Sequence, residues 1–163
     1  MENLFLSFKK FIEEDTHFMG DVKATIANIP KSHRDLIKNY KIKPENGNTL
    51  KNDKEHVGEI DEKKRHIKVA SPWNYSRETT FLHEVAHCVY KYMMTPKLKR
   101  EWKKLIKDTK TEQKKDKDKA KDSLDQNPEE IFCMVYSAVY SKHPHSTYDH
   151  DAWLNFIKTK VPK

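Results

Sequence analysis

The sequence predicts an α+β fold dominated by helices, with one small sheet. Three observations carry this. Helix-start signatures recur along the chain at Ser32-x-x-Asp35, Ser76, Thr95-Pro96 and Asn127-Pro128. The run 77–94 holds apolar residues at helical spacing with neither Gly nor Pro. Alternation of period two appears only in short stretches, of which 56–60 and 65–70 flank the turn Asp61-Glu62-Lys63-Lys64. A length of 163 residues suits one domain, 1–163.

In chain order, residues 3–18 read as an amphipathic helix with Leu4, Phe8, Phe11 and Ile12 on one side. Gly20 is expected to break it, and a short helical piece completes an N-terminal segment, 1–28. Ile29-Pro30 is a stop, and the box at Ser32 starts a helix to about residue 39. Residues 40–43 read as a strand ended by Pro44-Glu45-Asn46-Gly47-Asn48. In the strand 65–70, Ile67 and Val69 alternate with His66 and Lys68. Ser76 is the expected N-cap of the 77–94 helix, whose core stripe is Leu82, Val85, Ala86, Val89 and Met93. Pro96 opens the next helix, with Leu98, Trp102, Leu105 and Ile106 as its apolar stripe. A polar, basic loop follows at 110–122. Asn127-Pro128 starts a helix to about residue 142, and a last helix spans about 151–159.

The net charge is +7, and all of it resides in residues 97–121, which hold 12 basic and 5 acidic side chains. Elsewhere the signs balance. The segment reads as a solvated helix face and a loop, and no nucleic-acid fold signature accompanies it, so no nucleic-acid partner is expected. No apolar run approaches the length of a membrane span. The N-terminus has an acidic start and no small-residue cleavage site, so it is not a signal peptide. The expected compartment is cytoplasmic, or secreted or delivered if a signal has been removed. Two cysteines, Cys88 and Cys133, make no disulfide framework and read as buried thiols. If the helices carrying them meet, the two thiols would be near each other.

Within the 77–94 helix stands His83-Glu84-Val85-Ala86-His87, the H-E-x-x-H pattern of zinc peptidases. Residues four apart share a helix face, so His83 and His87 can grip one ion. Glu84, about 100° further round the turn, can reach a water on that ion without ligating it. The bland alternative is an amphipathic helix with two exposed histidines. A zinc site needs a third protein ligand. The candidates are Glu129, Glu130, His143, His145, Asp149, His150 and Asp151. Glu129 and Glu130 are equally explained as first-turn acids favoured by the helix dipole or as part of a capping box.

The order of motifs resembles the zinc-peptidase domain of anthrax lethal factor and its small relatives, the Pro-Pro endopeptidases. The similar elements are a helix ending in Tyr40-Lys41-Ile42, then Val57-Gly58-Glu59, Ile67-Lys68-Val69 and Thr80 through His87. The helix from Asn127 to Tyr136 completes the set, so the resemblance covers roughly residues 29–157. It implies a zincin-like fold with Zn²⁺ as cofactor. It also implies Glu130 as the third ligand, since the family's ligand Glu follows an Asn by three and precedes two bulky residues, here Ile131 and Phe132. Two positions depart. The family's oxyanion-steadying Tyr is Ser123 here, with Tyr136, Tyr140, Tyr148 and the histidines of 143–150 as substitutes. The acid one turn after the ligand Glu is Met134, which removes an expected partner for a ligand histidine.

The expectation is therefore a zinc metalloendopeptidase that hydrolyses peptide bonds of a protein substrate. His83, His87 and Glu130 are its metal ligands and Glu84 its general base. A peptide substrate is expected along strand 65–70, because extended peptides pair with exposed sheet edges. The alternatives are a non-catalytic zinc-bearing binding module and an intracellular repressor-cleaving peptidase of a mobile element. Substrate identity and oligomeric state are left open by the sequence.

Overall fold

The computed structural model describes residues 17–46, 58–71, 75–113, 127–142 and 150–163. Six helices and three strands appear among them: α1 (17–28), α2 (Lys31–Ile37), β1 (Lys41–Asn46), β2 (Gly58–Asp61), β3 (His66–Ser71), α3 (Tyr75–Tyr92), α4 (Pro96–Gln113), α5 (Pro128–Tyr140) and α6 (Asp151–Lys160). The class is α+β and helix-dominated, with one three-stranded sheet. No helix among the described residues is long and apolar enough to cross a membrane.

Helix α3 is the hub. It packs along α5 on one side and against β2 and β3 on another, with α2 nearby. Phe81, Leu82, Val85, Ala86, Cys88 and Val89 of α3 are all fully buried. They meet Ile131, Phe132, Cys133, Val135 and Tyr136 of α5, which are fully buried as well. This contact orients both functional helices, because close-packed side chains admit few alternative registers. Helix α4 adds Trp102, whose ring lies 5.8 Å from Phe132 and 5.2 Å from Phe156. The indole Nε1–H of Trp102 donates to the Pro128 carbonyl at 2.8 Å, tying α4 to the first turn of α5. Glu78 is buried under the far end of α5. It accepts from the hydroxyls of Ser141 (2.8 Å) and Thr25 (3.3 Å).

Several local expectations change. Gly20 does not break the first helix: α1 runs through it, anchored by Phe18 and Val22, one turn apart and buried. A single helical Gly costs only about 1 kcal/mol, less than burying such a pair returns. Ser32 caps nothing, because α2 begins at Lys31 after Pro30. Likewise α3 begins at Tyr75, so Ser76 lies inside the helix. Pro44 does not end β1, which continues to Asn46. An edge strand tolerates proline because one side of its ladder needs no donor. Met94, not Met93, is the fully packed methionine after α3, since the helix stops at Tyr92 and the register shifts.

Thr95 caps α4 as expected, its Oγ1 accepting from Leu98 N at 3.2 Å. Asn127 caps α5, its Oδ1 accepting from Glu129 N at 3.1 Å.

The sheet order is β1-β3-β2. Strand β3 is central: it pairs in parallel with β1 from Lys41↔His66 and antiparallel with β2 from Gly58↔Val69. The strand 65–70 therefore has no open edge and cannot take a peptide as an added strand. Its alternation reflects burial of Ile67 and Val69 under α3, not an exposed rail. Of the two sheet edges, β2 is the one that packs against α3.

The N-terminal residues Leu4, Phe8, Phe11 and Ile12, the loop 110–122 beyond its helical start, and His143, His145, Tyr148, Asp149 and Ser123 lie outside the described residues.

Candidate metal centre

The centre forms where α3 and α5 face one another beside β2. Helical spacing puts His83 and His87 on one side of α3, with ring centroids 5.0 Å apart and side chains 22% exposed. Across from them stands the first turn of α5. Glu130 Oε2 lies 3.1 Å from His83 Nε2, and Glu130 Oε1 lies 3.7 Å from His87 Nε2. Two zinc bonds of about 2.0–2.1 Å at a tetrahedral angle separate their donor atoms by about 3.3 Å, so these spacings bracket the edge of a zinc tetrahedron. The two contacts use different oxygens of one carboxylate, so Glu130 stands beside both imidazoles as a candidate donor. The capping-box explanation of Glu130 loses ground, because its carboxylate points to the imidazoles while Asn127 caps the helix through Glu129 N.

Glu129 is the neighbour whose role the sequence did not reveal. Its Oε1 lies 2.9 Å from His87 Nδ1. With Nδ1–H donating to that carboxylate, the Nε2 lone pair of His87 faces the centre, which is the tautomer a metal ligand needs. The partner missing at Met134 is thus supplied from the other side of the ligand. Two adjacent acids after an Asn-Pro cap are the only sequence signal for it, and they are ordinary in any first turn.

Cys133 is the other unassigned neighbour. It sits one turn after Glu130, fully buried and free. Among the described residues, the ligand atoms of His83, His87 and Cys133 all lie within 4.8 Å of one another. Burial pushes its thiol well above the usual range, and the carboxylates of Glu130, Glu129 and Glu84 push the same way. Cys88 points elsewhere, its thiol donating to Tyr40 Oη at 3.9 Å.

Burial pushes the Glu84 carboxyl up to about 7, opposed by His87 and reinforced by Glu130 and Glu59. His83 is shifted down, by burial first and by His87 second, against the pull of Glu130. Gly58 brings β2 against this part of α3. A Cβ built there would stand 2.4 Å from Thr80 Cγ2 and 3.3 Å from both Cγ and Oε1 of Glu84. Its backbone angle is not left-handed, so close approach is the reason for glycine.

An open groove of about 700 Å³ runs beside the centre. It is lined by Glu59, Asp61, Glu62 and Lys63 of β2 and its turn, by Glu84, His87 and Lys91 of α3, and by Glu129. Five carboxylates and two lysines line it, and one of the lysines, Lys91, is paired with Glu62, so the groove is acidic on balance.

The remaining sequence candidates are placed apart. His150 precedes α6, its ring tilted 35° to that of Trp153 with centroids 5.3 Å apart, and Asp151 is an exposed residue of the first turn of α6. The Tyr136 hydroxyl donates to Nδ1 of buried His33 at 2.9 Å, and the Tyr140 ring lies 4.6 Å from that of Tyr136. Tyr136 is thus engaged in the core and not open to a substrate.

No protein-family model, curated protein or solved structure matches this chain.

Proposed function

We propose that the chain is a zinc-dependent endopeptidase with a zincin-like, lethal factor-like catalytic domain. The observation that carries the reading is the convergence of His83 Nε2 and His87 Nε2 on the Glu130 carboxylate at 3.1 and 3.7 Å. Its spacing suits zinc, and Glu84 lies alongside in an open groove. Zinc held there would supply an acidified water and polarise a scissile carbonyl.

The chain's own residues do the rest. Glu84 accepts the proton of the attacking water on a carboxylate oxygen and returns it to the leaving amine. Partial burial, with Glu130 and Glu59 nearby, raises its carboxyl toward neutrality, where it can both gain and lose a proton. Glu129 holds His87 in the ligand tautomer and fixes the ring's orientation. Gly58 lets β2 approach Glu84 closely enough to form the groove wall. A substrate segment lies extended in the groove, adding to the outer edge of β2 in the way β-augmentation adds a strand.

The test is Glu84→Gln. This variant is expected to retain zinc and to lose cleavage of a peptide library by about a hundredfold or more, the scale of general-base catalysis. Full activity in the variant would refute the mechanism. Metal analysis of the wild type beside His83→Ala and His87→Ala checks the ligand set.

A further inference from the structure

We propose that Cys133 is a fourth protein donor to the ion at the His83/His87/Glu130 centre, so that the resting site is capped by its own thiol. The inference rests on the zinc reading above and extends it to how the site is regulated.

The argument begins with α5. Glu130 and Cys133 are three apart, so they share the helix face that packs on α3. On α3 the two histidines are four apart and face them. The Cys133 thiol and one ring nitrogen each of His83 and His87 all lie within 4.8 Å of one another, and Glu130 adjoins the same two rings at 3.1 and 3.7 Å. A tetrahedral site with Zn–S of about 2.3 Å and Zn–N of about 2.0–2.1 Å sets sulfur and nitrogen about 3.6 Å apart. The thiol is within about an ångström of that spacing, which rotation about its single χ1 can supply. Cys133 is fully buried, so its sulfur approaches from the protein side and not through the groove. It binds as the thiolate, its S–H bond breaking and its proton passing to solvent.

Four protein donors close a tetrahedral zinc site, whereas a catalytic one keeps a position for water. Cys133 therefore competes with the water that Glu84 would activate. Cleavage requires the thiolate to leave the ion and take back a proton from solvent as water replaces it, and the sulfur strengthens metal retention when no substrate is present.

Cobalt(II) in place of zinc tests this on the full chain. Wild type is expected to show a sulfur-to-cobalt charge-transfer absorption in the near ultraviolet as well as the visible bands of tetrahedral cobalt. Cys133→Ser should lose the first and keep the second, while Cys88→Ser keeps both. X-ray absorption of the zinc-loaded wild type should show one sulfur at about 2.3 Å, a measurement that needs no variant to fold. Cys133→Ser is also expected to bind zinc at least about tenfold more weakly in competition with a chelator, and to cleave peptide several-fold faster at saturating zinc. Visible cobalt bands without charge transfer would overturn the thiol ligand and leave the peptidase reading standing. Charge transfer that survives Cys133→Ser would also overturn it. A wild type that binds no cobalt would overturn both readings. A capped site that is present while Glu84→Gln changes no cleavage would overturn the peptidase reading alone.

Discussion

Nδ1 of His87 lies 2.9 Å from Oε1 of Glu129, one residue before the carboxylate that faces the Nε2 atoms of His87 and His83. Two consecutive side chains of one helix turn thus take the two sides of one imidazole. Glu129 orients the ring, and Glu130 shares the centre with it. Glu129→Ala is expected to weaken zinc binding by about 10- to 100-fold while leaving the fold intact, the range for losing such a partner. Chelator competition measures it. Unchanged affinity would mean that the Glu129 contact does not support the ligand.

The tight seam between β2 and α3 makes Gly58 a test of the groove. In Gly58→Ala the new methyl would stand 2.4 Å from Thr80 Cγ2, so the strand must move away from the helix. Overpacking of this kind costs about 1–3 kcal/mol. Urea unfolding should show that loss, and peptide cleavage should fall by more than metal content does. A variant as stable and as active as wild type would show that the seam is looser than described.

His33 sets a pH dependence remote from the candidate centre. It is fully buried, with Nδ1 accepting from Tyr136 Oη and Nε2–H donating to the Pro162 carbonyl at 2.6 Å. Burial holds its pKa below 6.5, against the Pro162 hydrogen bond and with help from Lys163. The unfolded chain therefore takes up the proton first. The stabilising effect of neutral His33 is complete above the unfolded value of about 6.5 and is lost as pH falls below it, by at most about 1.4 kcal/mol per pH unit. Urea midpoints at pH 7.5 and 5.5 should drop further for wild type than for His33→Gln. Equal drops would assign the acid sensitivity to other groups.

The acidic groove predicts substrate charge. On the β2 wall Asp61 lies 3.5 Å from Lys64 and Glu59 3.7 Å from Lys68, exposed pairs that only partly offset the two carboxylates. Peptides carrying Lys or Arg beside the scissile bond should be cleaved in preference to acidic ones, and the preference should shrink as salt rises. Glu59→Lys should reduce that preference about 5- to 10-fold in kcat/KM. Profiling a library at low and high salt decides it, and an acidic consensus would contradict the groove assignment.

Much of this centre is legible in the chain. H-E-x-x-H on an uninterrupted helical run needs only the 3.6-residue period to place His83, Glu84 and His87. Asn127-Pro128 announces the helix that brings Glu130, because the cap and the N-terminal proline are local chemistry. Helices α5 and α6 follow their signals to within two residues, and α4 starts at Pro96 as signalled but runs on to Gln113, into the stretch expected to be a loop from residue 110. The local signals fail where tertiary packing outweighs them: at Gly20, where Phe18 and Val22 carry α1 across a weak residue, and at Pro44, where an edge position removes the penalty.

What no local pattern contains is which elements meet. The alternation of 65–70 is the same for a central strand as for an edge strand, and only pairing with both β1 and β2 makes β3 central and moves the open edge to β2. The roles of Glu129 and Cys133 likewise depend on how α5 lies across α3. A first-turn acid and a buried thiol look ordinary in sequence. They become neighbours of His83 and His87 because the apolar faces of two helices, separated by the 35 residues 93–127, have one close-packed way to fit. Spacing along a helix determined the placement of the two imidazoles and of Glu84. Long-range packing decided what surrounds them.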